Sequence, residues 1–164
     1  MGVTERSIET PTREMATDLI GNYAHMLDDG NVDAWPELFI ASGLYHVTTR
    51  ENYEQALPIG IIRCAGRGMM TDRVKAFHTA NIFEPHCYNH LVGPATIRAG
   101  RTPEAIGSRC NFQIVRIMED GRTGLFATGK YLDEIVLDGG VAKFKERIVV
   151  LDSRNVDTLI VLPL

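Results

Sequence analysis

No apolar run in this chain approaches the roughly 20 residues that a helix needs to cross a bilayer, so a membrane-spanning role is not expected. Positive charge is not in excess either. The 17 Lys and Arg residues stand against 21 Asp and Glu, a net charge of −4. The cations are scattered rather than gathered into the patch or stripe of a nucleic-acid binder. Cysteine is scarce: Cys64, Cys87 and Cys110 are an odd set without paired spacing, as expected of free thiols in a reducing cytoplasm. Residues 1–10 lack an apolar core and carry Glu5 and Glu9, which argues against a secretory signal and predicts a flexible polar arm. There is no internal repeat and no low-complexity linker. Phosphate loops, dinucleotide fingerprints and nucleophile elbows are missing as well. Gly66-Arg67-Gly68 is too short to cradle phosphate, and Gly43 and Gly107-Ser108 lack the surroundings of an elbow. No neighbouring base marks any of the three cysteines as an activated nucleophile.

What is present suffices for one domain over 11–164, since 164 residues at 45% hydrophobic content can bury a core. Helical patterns come first and strands after, the order of a segregated α+β domain. Thr10 and Pro11 read as a cap and a first-turn proline, after which Met15, Leu19, Tyr23 and Leu27 recur until Gly30 stops the helix. A short helix is expected after Asp33, a strand over Leu44–Thr49, and irregular chain from Glu51 to Arg67, where Pro58, Gly60, Gly66 and Gly68 interrupt every pattern. Thr71 is a candidate cap for the next helix, Asp72 suits its positive end, and Met70, Val74 and Phe77 form one buried stripe. Pro85 then forbids helix and pushes Glu84 to extended backbone.

Four strands follow, over Tyr88–Arg98, Ala105–Met118, Thr123–Leu137 and Val141–Asp152, separated by Gly-bearing turns as in an antiparallel meander. Within the second, Ile106, Ser108, Cys110, Phe112, Ile114, Arg116 and Met118 alternate with Gly107, Arg109, Asn111 and Gln113, so one side is largely buried. Strands longer than about 10 residues must twist and curve. A curved sheet closed over by helices makes a cone, the cystatin-like, nuclear-transport-factor-2-like α+β fold. A two-residue turn at Gly139-Gly140 predicts Glu134 opposite Lys145, and places Glu134, Lys143, Lys145, Glu146 and Arg147 on a solvated or subunit-facing side.

Chemistry-bearing residues are few. Cys87-Tyr88-Asn89-His90 is a Cys-x-x-His, half the ligand set of an iron–sulfur cluster held by two cysteines and two histidines, but the companion Cys-x-His occurs nowhere. His86 and His90 on one strand lie about 13 Å apart, too far for a single zinc ion. His46, His78 and Asp72 are the residue types of a two-histidine, one-carboxylate iron site, although nothing in their spacing demands it. A pocket holding Tyr23, His46, His90 and a carboxylate, Asp29 or Asp133, is the alternative reading: a stand-alone dehydratase or isomerase working by proton transfer. Against it, Asp28 and Asp29 at a helix end fit a solvated turn.

The segment Met69–Gly93 decides between these readings. Its helix turn Asp72-Arg73-Val74, the break at Pro85 and the strand residue His90 resemble, in order and identity, the small (beta) subunits of aromatic-ring-hydroxylating dioxygenases. The likeness extends through Val32-Asp33-Ala34-Trp35-Pro36, Arg50-Glu51-Asn52 and Asp157-Thr158-Leu159, and is greatest toward subunits serving aromatic carboxylate (terephthalate, anthranilate or salicylate) oxygenases. This chain departs from the family in having Ile82 or Phe83 where Trp is frequent, and His86-Cys87-Tyr88-Asn89 in place of an Arg-rich run. The resemblance implies a non-catalytic structural subunit in the cytoplasm, with no catalytic, cofactor-binding or metal-binding residue of its own. It also implies a trimer carrying three alpha subunits, which hold a Rieske cluster, a mononuclear iron and the substrate pocket. Electrons would come from NAD(P)H through a separate reductase, and Arg73 is expected near the large subunit.

Overall fold

The computed structural model describes residues 9–80, 82–156 and 160–164. Helix α1 spans Arg13–Asp28. Its cap is Thr12 rather than the expected Thr10: the Thr12 hydroxyl accepts from the Met15 N–H at 3.2 Å, and Pro11 precedes the cap. Leu19, Tyr23 and Leu27 are buried as their spacing predicts, whereas Met15 is 36% exposed. Asp29 closes the helix, and Gly30 turns the chain at φ +76°, a left-handed angle that favours glycine.

A 3-10 helix over Val32–Leu38 buries Trp35 and leads into β1, Phe39–Thr49. This strand starts before the predicted Leu44 because a bulge between Phe39 and Leu44 hides its alternation. The stretch expected to be irregular contains a short helix α2, Arg50–Glu54, capped by the Thr49 hydroxyl, and a strand β2, Ile62–Ala65. Both are too short for a period to register. Helix α3 covers Arg67–Thr79 from a Gly66 cap. Thr71 lies inside it, its hydroxyl donating to the Arg67 carbonyl at 3.0 Å, so it is not the cap. Met70 and Val74 are buried and Phe77 packs on the core, as the stripe required.

The expected strand Tyr88–Arg98 is two, β3 (His86–Val92) and β4 (Thr96–Ala99). Gly93-Pro94-Ala95 separates them, and Pro94 has no N–H for a ladder. Both lie along β5, Ile106–Met118, but the pairing slips between them: Val92 opposes Phe112 and Thr96 opposes Arg109. Thr96 and Arg98 therefore share the outer face with Arg109. β6 (Thr123–Asp138) and β7 (Val141–Leu151) complete the sheet, close to their predicted bounds. The order is β2-β1-β7-β6-β5-β3, antiparallel throughout except for the parallel pair β1–β7. Helices α1, α3 and the 3-10 helix lie against the inner face, giving the α+β cone of the cystatin-like, nuclear-transport-factor-2-like type. The segment Asp157-Thr158-Leu159, used above for the resemblance, and the arm up to residue 8 fall outside the described residues.

Because Leu19 is buried in the core cluster, Leu19→Ala should cost about 2–5 kcal/mol in urea unfolding. A loss under about 0.5 kcal/mol, the range of surface substitutions, would place the side chain outside the core.

Candidate functional site: the interior of the cone

Strand register brings three polar side chains to one level of the inner face. Ser108 on β5 opposes Asp133 on β6, which opposes Arg147 on β7. The Arg147 Nε and Nη2 donate to the two Asp133 oxygens at 2.8 Å each, and Ser108 Oγ donates to Oδ2 at 3.0 Å. Both charged side chains are fully buried. The guanidinium carbon lies 4.1 Å from the Tyr23 ring centre, 4.2 Å from that of Tyr131 and 4.2 Å from that of Phe144. Burial opposes its charge, yet the carboxylate and its hydrogen bonds hold the Arg147 pKa above the ordinary arginine value. The bidentate fork and the three ring faces suit arginine and not lysine.

The expectation that the last hairpin's charges share one solvated or subunit-facing side is therefore overturned for Arg147, which turns inward, while Glu134 stays on the outer face but is buried there. The cause is a bulge between Glu134 and Ile135, which sets Glu134 opposite Glu146 rather than Lys145. Arg101 reconciles the two carboxylates, donating its N–H to Glu134 at 2.9 Å and its Nη2 to Glu146 at 2.6 Å. Lys143 and Lys145 do reach solvent-side carboxylates, Asp138 at 3.6 Å and Glu104 at 3.5 Å.

The wide end of the cone is occupied by the chain itself. Ile160, Val161, Leu162 and Leu164 are buried. The Tyr23 hydroxyl donates to the main-chain oxygen of Leu164 at 2.6 Å, and the Leu164 N–H donates to the Tyr45 hydroxyl at 2.8 Å. Arg73 donates to the Ile160 carbonyl and so ties α3 to the chain's own residues 160–164. Burial drives the Tyr23 pKa well above the usual phenol value and pushes Tyr45 up to about 12. Beside Leu151, Ile160 and Leu164 a space of only about 20 Å³ is left, enough for little more than a water molecule.

The residues named for proton transfer do not converge. Tyr23 is inside the cone, while His46 alternates with buried Tyr45 and Val47 and so lies on the outer face, against the Gly60 segment. Burial, followed by the Arg63 charge, lowers the His46 pKa. Asp29 is exposed at the end of α1, and Asp133 is taken up by Arg147. His90 does point inward, but Asp28 accepts from its backbone N–H at 2.8 Å and meets its Nδ1 at 2.5 Å. Asp28 is thus a partner for the strand and not the solvated turn residue it suggests in sequence.

Metal ligation fares no better. Cys87 is exposed and His90 buried, because β3 turns them to opposite faces, so this Cys-x-x-His cannot close on one iron. His78 pairs with Asp33 at 2.9 Å. Among the described residues no group of three His, Cys, Asp or Glu side chains is placed to hold a metal ion. The buried Ser108–Asp133–Arg147 level was not foreseen, although Asp133 shares the phase of Tyr131 and Ile135 along β6, a signal that a charge sits on the apolar side.

Residues 22–158 match the family model described as ring hydroxylating beta subunit. The chain belongs to that family. It is 39% identical over 142 residues to a beta subunit of the terminal oxygenase component of terephthalate 1,2-dioxygenase from Comamonas sp, covering 87% of this chain and 92% of the relative. It is 32% identical over 146 residues to the small subunit of anthranilate 1,2-dioxygenase from Burkholderia cepacia, covering 89% and 90%. Among solved structures, the beta subunit of an aromatic-ring-hydroxylating dioxygenase from Novosphingobium aromaticivorans superposes with a TM-score of 0.83 at 32% identity, over 93% of this chain and 96% of that one. The family, the fold and the beta-subunit reading made from sequence all stand on these likenesses.

Two outcomes follow from this beta subunit's interior. Asp133→Ala strands the Arg147 charge among aromatic rings and should destabilise the chain by about 3–5 kcal/mol in denaturant unfolding, whereas a loss under about 1 kcal/mol would show that the pair is dispensable. Burial, only partly offset by the hydrogen bond and charge of Asp28, lowers the His90 pKa. The unfolded chain therefore binds more protons below about pH 6.5, and stability should fall as pH drops from 7.5 to 5.5. His90→Gln should flatten that dependence; an unchanged melting-temperature difference between the two pH values would refute the assignment.

Proposed function

We propose that this beta subunit is a structural, non-catalytic part of a cytoplasmic aromatic-carboxylate dioxygenase. It forms a single domain over 11–164, three copies assemble together, and they carry three alpha subunits. The Rieske cluster, the mononuclear iron and the aromatic substrate belong to the alpha subunits, fed from NAD(P)H by a separate reductase. This chain then contributes no catalytic, cofactor-binding or metal-binding residue.

The observation that carries this reading is the filled cone. In a pocket enzyme of this architecture the interior must admit substrate to an acid or base within about 3 Å. Here Tyr23 is bonded to Leu164, Asp133 to Arg147 and His90 to Asp28, and the side chains between them are packed. What the family membership adds is the partner class, since the relatives this chain is similar to are beta or small subunits of oxygenases.

The test is turnover per assembled complex. Co-purified with its alpha subunit, a beta chain carrying Tyr23→Phe or His46→Ala should leave oxygen uptake per complex within a few-fold of the parent. Losing a general acid or base typically costs 10²- to 10⁴-fold. A hundredfold drop with assembly intact, checked by size-exclusion chromatography, would overturn the structural, non-catalytic reading.

A further inference from the structure

Three cations occupy neighbouring positions on the outer sheet face with no carboxylate between them. Arg98 on β4 opposes Gly107 on β5, Thr96 opposes Arg109, and Asn111 opposes Lys130 on β6. Arg98, Arg109 and Lys130 are therefore successive diagonal neighbours, with about 7–8 Å between them at each step. None of the three forms an ion pair among the described residues, and the Lys130 Nζ has only the Tyr53 ring, 5.7 Å from its centre. The adjoining carboxylates are committed: Glu134 and Glu146 to Arg101, Asp152 to Arg50 and the Thr128 hydroxyl. A row of like charges repels itself, a standing cost that an anion laid along it would relieve.

The same three side chains line a trough. Arg109 and Lys130 border a depression of about 420 Å³ that reaches Leu91 on one side and the Arg50–Asp152 pair on the other. Arg98 and Arg109 border a second, of about 470 Å³, beside Pro94 and Thr96. Gly93, Arg109 and Asn111 line both, so the two are continuous. Each volume lies in the range of small-molecule sites, roughly 300–1,000 Å³. The side-chain amides of Asn111 and Gln113 offer N–H donors on the floor, and Leu91 supplies an apolar wall. With four cations and one carboxylate along its length, the trough concentrates small anions.

We infer that the trough is a binding site for a small dicarboxylate, two acid groups on a short apolar body. One carboxylate lies between the Arg98 and Arg109 guanidinium groups, whose paired N–H donors match its two oxygens. The other lies at Lys130 beside the Asn111 amide, and the body between them rests against Leu91. A monocarboxylate meets one end of the row and leaves the other uncompensated. A compact anion such as phosphate carries the charge but cannot span the steps between the cations. The site lies outside the cone and performs no chemistry, so it goes beyond the structural reading above and stands or falls apart from it.

The test is isothermal titration calorimetry on the purified full chain at low ionic strength, with benzene-1,4-dicarboxylate, benzoate and inorganic phosphate as probes. The dicarboxylate should bind at one site per chain, about tenfold or more tighter than benzoate or phosphate, the margin of one hydrogen-bonded charge. Arg109→Gln and, separately, Lys130→Gln should each weaken it by a similar factor with unchanged far-ultraviolet circular dichroism; both positions lie on the outer face, away from the core. Arg63→Gln, exposed on β2 at the far edge of the sheet, should leave binding within twofold. Absence of binding, phosphate binding as tight as the dicarboxylate, or equal losses in Arg63→Gln and Arg109→Gln would each overturn the site, the last by revealing attraction to the face's charge at large. None of these results would touch the reading of the filled cone.

Discussion

The Arg147–Asp133 pair is the constraint around which the interior is arranged. An arginine taken out of water costs several kcal/mol unless every part of it is compensated. Here the compensation comes from three directions: the bidentate carboxylate, the Ser108 hydroxyl that steadies that carboxylate, and the faces of Tyr23, Tyr131 and Phe144. Those groups come from β5, β6, β7 and α1, so satisfying one charge fixes the register of three strands and the seating of the helix. A slip of one residue in any of these strands would carry Ser108, Asp133 or Arg147 to the outer face and break the set.

A cone organised in this way is filled by its own side chains. Tyr23 faces the guanidinium with its ring and Leu164 with its hydroxyl, and Tyr45 receives the Leu164 N–H, so the polar atoms at the wide end are used in holding the chain's own residues 160–164. Large apolar side chains such as Ile59 and Leu91 are exposed on the outside instead.

The sequence revealed much of this frame and little of its centre. The strands β5 to β7 and the helices α1 and α3 were legible because each is long enough to show its period, and Leu19, Val74 and Ile114 fell where alternation placed them. α2 and β2 are shorter than one clear period. The caps went to Thr12 and Gly66 because Thr10 and Thr71 satisfy the same local rule and only the tertiary path chooses between them. Arg147 was misplaced for a different reason. A bulge shifts the face of every residue beyond it, and the one at Glu134 brings Glu134 opposite Glu146, where Arg101 bridges both across 33 and 45 residues of chain, a contact that no local pattern contains. Asp28 was likewise read as a solvated turn because its partner, His90, comes from a strand 62 positions away.

The central claim is that this chain supports an oxygenase whose metals lie elsewhere. Iron in the separated subunits tests it most directly. The assembled oxygenase is purified, dissociated under anaerobic conditions, and its subunits are resolved and analysed for iron by mass spectrometry. All of the iron should travel with the large subunit, leaving this chain colourless. Iron at one equivalent per small chain would contradict the account.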